Sequence, residues 1–144
     1  MFNLEVDDRL SAWAALRRQV EQSDAPFDLV WEFWNKSPFV PYNHKIDPYY
    51  QASWPSPWEI IVDNSYDDFT RALMIGQTIK MTKRFADNKI EIKTLVDNVN
   101  KRQYNVISID DEWVINYNDN GPELLKNIPE SFLLENIIEL TSPR

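Results

Sequence analysis

The chain contains no cysteine, only two glycines and a single histidine. Without thiols there is no disulfide framework, no thiolate nucleophile and no cysteine-held zinc. With only Gly76 and Gly121, a glycine-rich phosphate loop has no place to form. The uncharged apolar run of about 18 residues that crosses a bilayer is also missing. The opening MFNLEVDDRL is acidic, whereas a secretion signal is basic and then apolar. These absences lead us to expect a protein that is not secreted, has no transmembrane segment, carries no cofactor and holds no metal.

What the sequence does have is aromatic bulk. Aromatic residues make up 13% of the 144 positions and hydrophobic residues 43%, which excludes an intrinsically disordered chain. A length of this order fits one core, so residues 1–144 are read as a single domain. The net charge of −8 is unevenly spread: residues 1–64 carry 5 basic and 10 acidic groups, residues 65–109 carry 8 and 5, and residues 110–144 carry 2 and 8. Phosphate contacts supply most of the affinity for nucleic acid, so this balance makes such a partner an unfavoured expectation, with an acidic DNA mimic as an alternative.

Along the chain, apolar spacing predicts a helix over residues 7–22, capped by Asp7 or Asp8, with a stripe of Leu10, Trp13, Leu16 and Val20. Ala25-Pro26 opens a second helix, which Ser37-Pro38 stops. From residue 37 to 57 five prolines alternate with aromatics, which dictates irregular, extended backbone. In Ser56-Pro57-Trp58-Glu59, serine, then proline, then glutamate three positions after the serine form a capping box and start a third helix. Ser65-Tyr66-Asp67-Asp68 repeats the signal and opens the longest helix, to about Lys83, whose broad apolar face predicts burial. Beyond Phe85 the period becomes two. Residues 90–96, 104–109 and 113–117 read as strands of a meander, a short helix is expected up to Asn127, and residues 132–140 read as a last strand. The fold class that results is α+β: a helical N-terminal half with a buried central helix packed on an antiparallel β-meander.

Candidate chemistry is sparse. His44 lies in the proline-aromatic stretch with Asp47 as its only local acid, and a loop role suits it better than catalysis. Asp67-Asp68 falls at a helix start and Asp110-Asp111-Glu112 at a hairpin turn, where acids have structural roles. Trp54 and Trp58 are expected to anchor the crossing segment in the core. Exposed, they would instead form a partner-binding patch with Tyr49 and Tyr50. Lys80, Lys83 and Arg84 close the long helix and could present a basic contact surface.

SYDDFTRALMIGQT followed by YNVISIDDEWVINY resembles the transglutaminase-like branch of the papain-type fold, over residues 56–118. That resemblance puts the catalytic cysteine position at Asp67, the histidine position near Arg102 or Tyr104, and the third position near Tyr117 or Asn118. None of these side chains has the chemistry required, so the likeness implies a pseudoenzyme, with a degenerate enzyme using Asp67 and His44 as the alternative. DPYYQASWPSPWEIIVDNSYDDFTRALMIGQTIKMT is also similar to small proteins of large tailed bacteriophages. The expectation is therefore a non-catalytic protein–protein interaction module of bacteriophage origin, in the virion or host cytoplasm, with a virion or bacterial host protein as partner.

Overall fold

The computed structural model describes residues 1–143. Four helices come first: α1 (Val6–Val20), α2 (Pro26–Asn35), α3 (Pro57–Asp63) and α4 (Asp68–Lys80). Five strands follow: β1 (Ile90–Asp97), β2 (Arg102–Ile109), β3 (Trp113–Ile115), β4 (Glu123–Leu124) and β5 (Leu133–Glu139). They form one sheet in the order β4-β3-β2-β1-β5, and every neighbouring pair is antiparallel. The α+β class and the division into a helical first half and a stranded second half are as the sequence predicts.

Alternation along the strands assigns the two faces. Ile90 and Ile92 on β1, Ile107 and Ile109 on β2 and Ile115 on β3 are buried in one core with the helices. Leu95, Val106 and Val114 point the other way, into a smaller core closed by Ile128 and Phe132. Every residue of α4 from Phe69 to Ile79 except Arg71 is buried, so this helix is the centre of the molecule. It comes close to the sheet at Gly76. A Cβ there would fall 2.6 Å from Ile107 Cδ1 and collide with Leu140 as well, so a larger residue would have to displace these two buried methyl ends.

A polar knot lies near the far end of α4. Thr78 Oγ1 accepts hydrogen bonds from the indole nitrogens of Trp13 at 2.9 Å and Trp34 at 3.0 Å, and donates to Met74 O at 2.6 Å. One hydroxyl therefore ties α1 and α2 to α4 and satisfies both buried indoles.

The local signals hold with four corrections. Ser56 makes the expected capping box with Glu59. At α4 the cap is Asp67, one of the two acids expected to serve that helix start, which accepts from Thr70 N at 2.7 Å; Ser65, whose spacing repeats the box, does not hold the cap. The carboxylate of Asp67 also takes the Asn43 backbone N–H at 3.0 Å, a role outside the local pattern. Asp7 and Asp8 lie inside the first turn of α1; Glu5 holds the cap position and makes no side-chain bond there. The short helix expected before residue 127 is the two-residue strand β4 followed by a single 3₁₀ turn, Leu125–Asn127, because pairing of Val114 with Glu123 recruits that stretch to the sheet. Trp58 is 38% exposed and touches the core through the edge of Trp13, with ring centroids 6.0 Å apart, because the first turn of α3 lies at the surface.

Candidate functional site

The proline-aromatic stretch is held against the start of α4. Val40 N donates to Tyr66 O and Tyr66 N to Pro38 O, a single parallel bridge. Asn43 adds its bond to Asp67 and a second, from Nδ2 to Ser65 O. Pinned there, residues 39–49 form one wall of a cleft of about 720 Å³ whose other wall is the first half of β2 and the turn after β3.

Three side chains converge on its floor. Asp68 in the first turn of α4 accepts from Asn105 N and Asn105 Nδ2, both at 3.0 Å, and from Asn116 Nδ2 at 3.1 Å. Asn116 Nδ2 also donates to Asn105 O at 2.8 Å. Asn116 can reach both because it sits at φ 77°, in the left-handed region that asparagine tolerates, immediately past the end of β3. Withdrawal from water pushes the Asp68 carboxyl above the ordinary aspartate range, and the amide donors and Arg71 oppose that shift. Arg71, one turn along α4, bonds Ser37 Oγ at 3.0 Å and its guanidinium lies over Phe39 at 5.8 Å. Burial lowers its proton affinity, while Asp68 and Asp119 raise it. Across the cleft the Arg102 guanidinium lies over the Tyr104 ring at 4.9 Å.

The rim is aromatic and open: Phe39 is 60% exposed, Tyr42 73% and Tyr49 69%. Tyr49 donates from its hydroxyl to Glu135 on β5, and that bond pushes its phenol upward. Tyr50 is exposed just beyond the lining. Trp54 is partly buried: its ring meets Phe69 edge-on at 5.5 Å and its Nε1 donates to Asp47 O at 2.6 Å, so it braces the cleft wall from behind. Trp58 lines a separate, mostly apolar groove of about 420 Å³.

The basic residues lie elsewhere. Lys80 caps Asn88 O, and Arg84 binds Val20 O and Ser23 O, so both are spent on closing the turn after α4. Lys83 is exposed there, its backbone held by Glu21. His44 is exposed and does not line the cleft, so it is not brought to Asp67. Among the described residues no group of three or more His, Asp or Glu side chains is placed to hold a metal ion.

The trio Asp68, Asn105 and Asn116 stands one to three positions from the places that the papain-type likeness assigns, Asp67, Arg102 or Tyr104, and Tyr117 or Asn118. Sequence reasoning passed over it. Asp68 reads as a dipole-complementing acid, and asparagines in strands carry no chemical signature. Comparison with protein-family models, with curated proteins and with solved structures finds no match to this chain.

Proposed function

We infer that this protein is a non-catalytic interaction module and that the cleft between residues 39–49 and the first half of β2 is where its protein partner engages. The observation that carries this reading is the rim. Phe39, Tyr42 and Tyr49 stand open to solvent around a concave surface, and large rigid aromatics in such a place supply binding energy at low cost in conformational entropy. The floor agrees with it: both oxygens of Asp68 are occupied by amide N–H donors, an arrangement that orients a carboxylate and keeps it from acting as a free base. The bacteriophage-like tract makes a virion or bacterial host protein the partner this reading implies. No helix among the described residues is long and apolar enough to cross a membrane.

A photo-crosslinking amino acid at Tyr42 should capture one defined protein in infected or expressing cells, and the same group at Arg18 on the exposed side of α1 should not. Capture from position 18 alone would move the binding face away from the cleft. The raised carboxyl of Asp68 is the observation that favours an enzyme. An ester and amide panel decides it, since turnover lost in Asp68→Asn would replace binding with catalysis.

A further inference from the structure

The two strands that bound the cleft differ in length, and the difference leaves backbone unpaired. β2 pairs with β1 along its whole length, from Arg102 to Ile109. On its other side β3 pairs only with Ile107, Ser108 and Ile109. In an antiparallel ladder the N–H and C=O of one residue point to one neighbour and those of the next residue to the other, so residues two apart share a side. Ile107, opposite Ile115, faces β3. Asn105 faces the same side, and its N–H and C=O are met there by Asp68 and Asn116 in place of a strand. Gln103 is next in that series. Its residue is exposed, it lines the cleft, and no described residue bonds its backbone on that side.

We propose that the cleft binds an extended polypeptide segment of the partner by strand addition, its main chain pairing with the free N–H and C=O of Gln103. The proposal rests on the reading of the cleft as a protein-binding face and names what is bound there. An exposed strand edge is a template for another strand, and main-chain pairing of this kind supplies affinity without demanding a particular side chain. The surroundings suit a neutral backbone. Arg71 and Arg102 line the cleft with four aspartates, of which Asp67 and Asp68 have their carboxylates met by N–H donors inside the fold; the remaining pair, Asp47 and Asp119, balances the two arginines. Phe39, Tyr42 and Tyr49 on the opposite wall are placed to cover alternate side chains of the added strand.

The decisive variant is Gln103→Pro. Proline removes the N–H at 103, and because that N–H points away from β1 no bond of the β1–β2 ladder is lost. The probe is the neutral pentapeptide acetyl-Thr-Val-Thr-Val-Thr-amide, followed by the amide signal of residue 103 in the ¹⁵N-labelled protein. Wild type and Gln103→Ala should show the same saturable shift and slowed exchange of that amide. Gln103→Pro, read at neighbouring amides, should bind roughly five- to tenfold more weakly, the worth of one main-chain bond of about 1 kcal/mol. Should Gln103→Pro fail to fold, the same probe with its central threonine N-methylated must bind the wild-type protein more weakly. A probe that leaves residue 103 unmoved up to its solubility overturns the proposal, as does equal binding by the proline variant or by the N-methylated probe. A neutral tetrasaccharide that moves the same amides when the peptide does not would overturn it in favour of a sugar. Crosslinking from Tyr42 that persists in the face of such a result would leave the cleft as a protein site and remove only the strand pairing.

Discussion

Helix α4 carries a saturated polar knot near each end, and the two differ in one respect. At Thr78 a single hydroxyl serves two indoles and a carbonyl, with all three residues of that side-chain cluster fully buried. At Asp68 a carboxylate serves two asparagines, but its residue is only partly buried and lies at the floor of a cleft. The first knot can do nothing except hold α1, α2 and α4 together. The second does the same for α4, β2 and the end of β3 while facing solvent that a partner can displace. Hydrogen-bond saturation alone therefore does not separate a structural cluster from a site; access does.

Breaking the inner knot should have the largest effect. Thr78→Val keeps the shape but strands the Trp13 and Trp34 N–H groups, and two buried donors without partners cost about 2–4 kcal/mol. The urea midpoint should fall accordingly and the peptide affinity of the folded protein should not. Thr78→Ser should restore most of the loss. Asp68→Ala leaves three amide donors to be met by cleft water, so about 1–3 kcal/mol is expected from the same denaturation, together with displaced cleft amide signals.

How much of this contrast was legible depended on sequence distance. The Ser56 capping box and the acidic start of α4 lie within four residues and were read correctly in kind, because local hydrogen bonds leave local patterns. The alternation of Ile90, Ile92, Ile107 and Ile109 gave the strands for the same reason. Both knots join residues far apart in sequence, 37 positions between Asp68 and Asn105 and 65 between Trp13 and Thr78, and no periodicity encodes such pairings. Trp58 was misplaced because a tryptophan beside a helix cap reads alike whether its helix start lies at the surface or inside.

Acidity sharpens the comparison further, since two aspartates should pull the stability curve in opposite directions. Asp68 has a folded value raised above 3.8 by burial, so the native state takes its proton first. Its contribution weakens stability as pH rises from the ordinary aspartate value through the raised one, and Asp68→Asn should flatten that descent. Asp111, bonded by Lys89 and Lys93, is lowered to about 2. The stability it adds is present above 3.8 and lost as pH falls towards 2, and Asp111→Asn should remove that acid-side loss. Denaturation midpoints across the acid range separate the two slopes.

The smallest effects belong to the surface start of α3. Ser56→Ala should cost about 1 kcal/mol through the lost cap. Trp58→Ala should cost about 1–2 kcal/mol, below the range for a buried tryptophan, because more than a third of the residue is already in water. A larger loss for Trp58 would mean that its edge contact with Trp13 holds α3 to α1 more firmly than the exposure suggests.

Gly76 gives the cleft a dimension that none of its own residues controls. The helix carries Asp68 and the sheet carries Asn105, and between those two bodies the bare backbone of residue 76 faces the methyl ends of Ile107 and Leu140. An alanine there would act as a shim. It would lift α4 from the sheet by a fraction of an ångström along its length, and two turns away the amide grip on Asp68 would open by a similar amount. Tuning the width of the cleft at its floor therefore requires no change in any residue that lines it.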